Sequence, residues 1–221
     1  MLELKHPYIS VDYGGARSYG GRQQSDGSRS MQKCGCGIVA AADVLLYLSR
    51  SSVENGKDSP ALSPIRQADY EAFCRRLRTA YMPIIPHAGI NGLGLMAGME
   101  LFFRRNALPY SAQWRFYNGD MWKKMSEMLE ADMPVIMSVG PNFPCFWKNS
   151  RATLYEQAAD GSFRSAALTK AHYVTATGMN DDWVRISSWG RMLYINRAEF
   201  ERYTHEHSAG FLCSILYISH K

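Results

Sequence analysis

The chain has 221 residues and a mass of 25.0 kDa, a size that fits one compact domain. Hydrophobic residues make up 46% and charged residues 20% of the sequence, which excludes a disordered chain, a coiled coil and a collagen-like polymer. No run approaches the roughly 20 apolar residues that a membrane-spanning helix needs, and residues 1–10 show no signal-peptide pattern. We therefore expect a cytoplasmic protein with no integral membrane segment.

The net charge is +5, but the basic residues are scattered along the sequence. The tight clusters are Arg75, Arg76 and Arg78, and the pair Arg104 and Arg105. Both clusters fall on predicted helices and indicate solvated faces, so we expect no nucleic-acid partner. The five cysteines are an odd number, and three of them are isolated in unrelated segments. This favours reduced thiols over a disulfide framework.

The first half of the chain is predicted to be mainly helical after a short β-like run and a glycine- and serine-rich segment. Apolar residues surround the first helix, which is typical of a helix buried at the centre of a domain. Ser63 and Pro64 predict the N-cap and first turn of the second. The predicted elements are a strand over residues 7–11, helices over 37–49, 63–81 and 93–106, a helix opening at Asp120, and a polar loop over 51–62.

The second half is predicted to be mainly β-structure. A buried strand comes first, and Asp160-Gly161 then predicts a hairpin turn. The predicted strands cover residues 134–139, 154–158, 163–167, 173–177, 183–187, 192–195 and 211–218, with a short helix near 197–203. This segregation predicts an α+β fold. Since no linker divides the halves, we expect one domain over residues 1–221, with a mainly helical lobe over about 1–131 and a β-sheet lobe over about 132–221.

Two cysteines lie at the start of the apolar central helix, in the sequence Cys34-Gly35-Cys36-Gly37. A thiol at this position faces the positive end of the helix dipole and unpaired backbone N–H groups, which stabilise a thiolate. Glycines allow the backbone to approach a bound substrate closely, and the same N–H groups can stabilise an oxyanion. The alternative is a pair of small buried cysteines beside a tight turn.

His172 is the histidine best placed to serve as a base for such a thiol. It begins a predicted buried strand, AHYVTATG, and a strand is a rigid support for a catalytic imidazole. A turn, a second strand and a Ser-Trp-Gly element follow, so that the end of the second strand lies beside this histidine. The alternative for a lone strand histidine is a satisfied core residue.

These residues resemble those of the papain-like cysteine peptidase superfamily, and most closely the branch of bacteriocin-leader-processing peptidases. The separation of the cysteine from the histidine also fits the about 130–150 residues of papain-type enzymes. The resemblance covers roughly residues 30–50 and 125–205. The matching features are Cys36-Gly37 opening a helix that ends at Tyr47, the strand Pro134-Val135-Ile136, the turn with Gly178, Asp181 and Asp182, the element Trp189-Gly190, and the helix residues Glu199 and Phe200.

The resemblance implies a papain-like fold in which Cys36 is the nucleophile and His172 is the general base, later the general acid. Cys34 is a rival nucleophile, but the alignment of the helix with its terminal tyrosine favours Cys36. The superfamily also has an oxyanion-hole glutamine upstream of the cysteine. The candidates for this role are Gln32, which we rank first, and Gln23 and Gln24.

The third catalytic position departs from the family pattern. Relatives place Asn or Asp before the Trp-Gly element, and this sequence has Ser187 there. A serine hydroxyl can accept a hydrogen bond from the imidazole but carries no charge to stabilise an imidazolium. We assign substrate contacts to Gly35, Gly37 and Trp189.

The expected function is hydrolysis of a peptide or isopeptide bond by a Cys-His thiolate mechanism, with a peptide or protein as substrate. The alternatives are an acyltransferase or amidase on the same fold, and a catalytically inactive peptide-binding domain. We expect no cofactor, because the pattern from Gly92 to Ala97 lacks the strand that a dinucleotide-binding motif requires. We also expect no metal site, because no second Cys/His pair follows Cys34 and Cys36 at ligand spacing.

Overall fold

The computed structural model describes residues 1–25, 28–53, 63–85, 87–115 and 120–221. Within these ranges the chain combines helices with one large sheet and one small sheet. The helices are α1 Arg29–Cys34, α2 Cys36–Val53, α3 Gln67–Ala80, α4 Gly92–Arg105, α5 Met121–Glu130 and α6 Arg197–His207. The strands are β1 Leu2–Glu3, β2 Val11–Tyr13, β3 Ala16–Arg17, β4 Ile65–Arg66, β5 Tyr110–Trp114, β6 Val135–Val139, β7 Ala152–Gln157, β8 Phe163–Thr169, β9 His172–Met179, β10 Trp183–Ser188, β11 Arg191–Asn196 and β12 Ile215–His220.

The large sheet has the strand order β5-β12-β6-β9-β10-β11-β7-β8, and β1 pairs with the far end of β9. The β-strand pairs of this sheet are antiparallel. The small sheet has the order β3-β2-β4, in which β2 and β4 are parallel. Helices and an antiparallel sheet in one chain confirm the predicted α+β class.

Helix α2 is the buried centre of the molecule. It packs against β6 and β9 of the large sheet and against α3 and α4. Ala41, Ala42 and Val44 are fully buried, and the small alanine side chains let neighbouring elements approach the helix axis closely. The apolar sequence of α2 therefore places the N-terminus of this helix against the start of β9.

Several predictions in the first half are wrong. The predicted strand over residues 7–11 is absent except for Val11, the first residue of β2. Helix α1 was not predicted, and α2 continues to Val53, beyond the predicted end at residue 49.

Helix α3 begins at Gln67 with Arg66 at its N-cap, not at Ser63, because Ile65 and Arg66 pair in parallel with β2. Strand β5 was also not predicted, and it forms through long-range pairing with residues 216–220 of β12. The predicted polar loop over 51–62 lies mostly outside the described residues.

The predicted β-structure of the second half is confirmed, except that the last strand begins at Ile215 and not at residue 211. The β7–β8 hairpin turns at Gly161, which has a φ of 82°, and Asp160 accepts hydrogen bonds from the Ser162 backbone and hydroxyl at 2.9 and 2.6 Å. The β9–β10 hairpin places His172 at the end of the sheet opposite its own turn. Among the described helices, none combines the length and the apolar character needed to cross a bilayer.

Candidate active site

The first residue of α2 and the first residue of β9 line the same narrow pocket. These residues are Cys36 and His172. The space open to the centre of a water molecule is about 10 Å³, the size of a single water site. The pocket is lined by Gly21, Gln23, Cys36, Val39, Ala40, Asp43, His172, Tyr173, Thr175, Ser187, Ser188 and Trp189.

Cys36 is half-buried at the N-terminus of α2. Burial raises the pKa of its thiol, and hydrogen bonds from the backbone of Tyr173 and Gly37 offset only part of that increase. The sequence indicated a thiolate stabilised by the helix N-terminus. In the folded chain, however, burial raises the thiol pKa by more than the backbone N–H groups lower it. At neutral pH the resting sulfur is therefore a protonated thiol.

His172 is buried, with 8% of its surface exposed. Its Nε2 atom and the Ser188 hydroxyl are hydrogen-bonded at 2.8 Å. The Trp189 ring stacks on the imidazole at a centroid distance of 4.7 Å and an angle of 20°. Burial lowers the pKa of His172 to about 4. The imidazole is thus neutral at pH 7 and is held by contacts at its edge and on its face.

The serine that contacts the imidazole is Ser188, and not Ser187 as the sequence alignment implied. Ser187 Oγ donates to the Tyr19 carbonyl at 2.8 Å and lies 3.4 Å from Asp43 Oδ2. Adjacent strand residues point to opposite faces, and a bulge in the β9–β10 pairing between Arg185 and Ile186 shifts the register by one residue. This shift brings the second serine, not the first, to the histidine.

The pocket also contains a different glutamine from the one ranked first. Gln23 is buried, lines the pocket, and donates from Nε2 to the Gln32 carbonyl at 2.8 Å. The side chains of Gln32, on α1, and Gln24 are exposed. Gln23 Oε1 is buried with no hydrogen-bond partner. Since an amide nitrogen has two hydrogens, the Gln32 carbonyl orients the Gln23 amide and leaves the second hydrogen for another acceptor.

A solved protein structure has a similar architecture. One solved structure, of a Bacillus anthracis protein described as a C39-like peptidase, superposes with a TM-score of 0.50 at 11% identity, covering 99% of this chain and 98% of that chain. The chain has the fold of a C39-like peptidase. The peptidase domain of Streptococcus ComA, a bifunctional ABC transporter involved in quorum sensing, gives a TM-score of 0.37 at 11% identity over 84% of this chain and 91% of that domain. A scan of family models and a search of curated proteins give no match.

The C39-like fold thus confirms the predicted papain-like architecture. Of the two cysteines at the helix start, Cys36 lines the pocket, whereas Cys34 is the last residue of α1. None of the five cysteines, each in a described range, forms a disulfide. Asp181 and Asp182 lie in the turn at the opposite end of the hairpin from His172, which places them away from the imidazole.

The residues assigned to substrate contacts have packing roles in this C39-like fold. A Cβ at Gly37 would lie 2.7 Å from Ile90 and 3.3 Å from the Tyr173 ring, and one at Gly35 would lie 2.5 Å from the Met31 carbonyl. The two glycines therefore allow close packing at the start of α2. Trp189 lines the pocket, with its ring on the imidazole.

Sequence reasoning missed one charged residue of the pocket. Asp43 lies on α2, is 1% exposed, and lines the same pocket as Cys36 and His172. Burial raises the pKa of its carboxyl group from 3.8 to about 6, against hydrogen bonds from Tyr70 and Tyr8 that lower it. Asp43 is the only charged residue in the apolar run from residue 37 to residue 48, and this signal was available in the sequence.

Proposed function

We propose that this chain is a cysteine hydrolase that cleaves a peptide or isopeptide bond, with Cys36 as nucleophile and His172 as general base. The observation that carries the proposal is that both residues line one pocket, each as the first residue of its helix or strand. Ser188 occupies Nε2 of the imidazole, so the nitrogen that exchanges a proton with the thiol is Nδ1. The C39-like fold supports the same assignment.

The chemistry begins from a neutral pair, since burial raises the pKa of Cys36 and lowers that of His172. His172 Nδ1 accepts the thiol proton as the sulfur attacks the carbonyl carbon. The backbone N–H groups at the start of α2 and the Gln23 amide stabilise the oxyanion. The C–N bond then breaks, Nδ1–H protonates the leaving amine, and a thioester remains. A water molecule that loses its proton to Nδ1 hydrolyses the thioester and regenerates the thiol.

A peptide-binding domain without turnover is the second candidate, and two observations favour it. The pocket has space for about one water molecule, and the hydroxyl on His172 Nε2 carries no charge to stabilise an imidazolium. Binding of a peptide outside the pocket requires neither a wider pocket nor a charged partner.

A peptide-library cleavage screen with matched variants separates the two candidates. We expect cleavage by the wild-type protein and a loss of about 10³-fold or more in both Cys36→Ala and His172→Ala. Cys34→Ala is the control, because Cys34 has the same chemistry two residues away but does not line the pocket, and this variant should keep its activity. Binding of library peptides without Cys36-dependent cleavage would establish the second candidate.

Thiol labelling gives a readout that does not depend on substrate choice. Iodoacetamide should modify Cys36 near neutral pH faster than Cys34, which is in the same burial class but does not line the pocket. His172→Ala should remove this advantage, because the imidazole is then no longer available to take the thiol proton. Equal labelling in the wild-type protein and His172→Ala would contradict the base role of the histidine.

A further inference from the structure

A buried carboxyl group lies beside the proposed catalytic pair and takes no part in the chemistry described above. Asp43, two turns along α2 from Cys36, accepts hydrogen bonds from the Gly21 backbone N–H at 3.1 and 3.2 Å. It also accepts hydrogen bonds from the Tyr70 hydroxyl at 2.6 Å and the Tyr8 hydroxyl at 3.1 Å. The Ser187 hydroxyl is a further donor, at 3.4 Å. No ion pair to Asp43 is present within the described ranges, so neutral donors compensate its burial.

The Gly21 N–H connects Asp43 to the segment from Tyr19 to Gln23, here called the Gln23 segment. The Tyr19 carbonyl accepts a hydrogen bond from Ser187 Oγ at 2.8 Å, and the Tyr19 N–H donates to the Gly190 carbonyl at 2.9 Å. The Gln23 segment is thus held between the carboxyl group on α2 and the end of β10 with its following turn. It ends at the amide that lines the pocket.

The two glycines of the Gln23 segment pack closely against Asp43 and the hydroxyl groups around it. Gly20 has a φ of 75°, and a Cβ there would overlap Ser187 Oγ and Asp43 Oδ2. A Cβ at Gly21 would overlap the Tyr70 hydroxyl. Only a backbone without side chains reaches the carboxyl group this closely, so the segment and the carboxyl group are closely fitted to one another.

We propose that Asp43 is a positioning residue that holds the Gln23 segment against β10 and thereby places the Gln23 amide in the pocket of Cys36 and His172. The inference rests on the proposed function, because the position of Gln23 affects turnover only if this pocket carries out acyl chemistry. Asp43 acts through Gln23, since its own oxygens are occupied by backbone and hydroxyl donors.

Steady-state kinetics on a cleaved library peptide test this inference. Gln23→Ala should lower kcat by about 10²-fold, the cost of one oxyanion donor, with little change in KM. Asp43→Asn should lower kcat by about 10-fold or more, also with little change in KM. The double variant should be no slower than Gln23→Ala alone, because residues that act through one another are not additive. Unchanged kcat in Asp43→Asn, or multiplicative losses in the double variant, would overturn the proposal.

Amide hydrogen exchange tests the same inference without requiring turnover. It is measured by mass spectrometry on the wild-type and variant chains. Asp43→Asn should increase exchange in residues 19–23 by about 10-fold and leave α5 unchanged. Asp132→Asn is the matched control, because Asp132 also accepts from a tyrosine hydroxyl but is absent from the pocket lining, and it should leave residues 19–23 protected. Unchanged protection of residues 19–23 in Asp43→Asn would overturn the inference even if turnover is present. Absence of Cys36-dependent turnover would instead refute the proposed function, and exchange would then decide the role of Asp43 alone.

Discussion

Two aspartates accept hydrogen bonds beside the middle of helix α2 but lie in different surroundings. Asp43, on the helix, accepts from two tyrosine hydroxyls and one backbone N–H. Asp132, which follows α5, accepts from the Tyr47 hydroxyl of α2 at 2.5 Å and the Lys5 N–H at 2.6 Å, and its second oxygen pairs with His6 Nδ1. Each carboxyl group thus attaches part of the N-terminal segment to the core.

The pKa of the carboxyl group is raised at one site and lowered at the other. Burial raises the pKa of Asp43 to about 6. Burial also acts to raise the pKa of Asp132, but hydrogen bonds from Tyr47 and His6 outweigh this effect and the net pKa is lowered. The difference lies in burial, because Asp43 is fully enclosed whereas Asp132 is partly open to solvent and the Tyr47 and His6 hydrogen bonds outweigh the smaller cost of its burial. Asp132 thus stabilises the fold in its ionised form, while ionised Asp43 costs stability.

The largest expected effect is the opposite response of these two sites to pH. The folded-state pKa of Asp43 is raised from 3.8 to about 6, so the wild-type chain loses stability from this group as pH rises from about 4 to about 6. The shift corresponds to about 3 kcal/mol. In urea unfolding from pH 4 to pH 7.5, the free energy of unfolding of Asp43→Asn should rise by about this amount relative to that of the wild type. A constant difference between the two proteins would contradict the raised pKa.

The matching experiment at Asp132 has the opposite sign. Its folded-state pKa is lowered, so its contribution is present above the unfolded-state pKa and is lost as pH falls through the folded-state value. Asp132→Asn should be less stable than the wild type at neutral pH, and the difference should shrink in acid. A difference in stability that grows in acid would show that the two sites do not differ as described.

The next effect tests how tightly the Asp43 site is enclosed. Gly20→Ala places a methyl group against Ser187 and Asp43 at a φ of 75°, and we expect a loss of about 3 kcal/mol in the free energy of unfolding. Gly161→Ala is the control, because its φ is 82° but no atom lies within 4 Å of the added Cβ. It should lose only about 1 kcal/mol, the cost of the backbone conformation. Equal losses would mean that the site is not closely packed.

The sequence was sufficient to predict the parts of the fold and site that depend on local patterns. The apolar run of α2 and the buried strand β9 are each recognisable by themselves, and so Cys36 and His172 could be placed at their first residues. Helix α3 was predicted to begin too early, because the pairing of β4 with β2 involves residues more than 50 positions apart.

Long-range register explains the errors at the site. Ser187 and Ser188 are neighbours, and the bulge between Arg185 and Ile186 that decides which of them meets the imidazole leaves no mark in the sequence. Gln23 reaches the pocket because tertiary hydrogen bonds hold its segment, so sequence distance to Cys36 was a poor guide. Asp43 alone had a readable signal, as a charge within an apolar helix.

The smallest expected effect concerns the two serines. Ser188→Ala removes the hydroxyl from His172 Nε2, which leaves a buried ring nitrogen without a partner and should lower kcat by about 10-fold. Ser187→Ala instead removes a contact to the Tyr19 carbonyl. NMR of the imidazole nitrogens separates the two roles. Ser188→Ala should shift the His172 tautomer equilibrium, and Ser187→Ala should leave it unchanged while increasing exchange in the Gln23 segment. If only Ser187→Ala shifts the tautomers, the alignment with the papain-like pattern was right and the serine at the imidazole is Ser187.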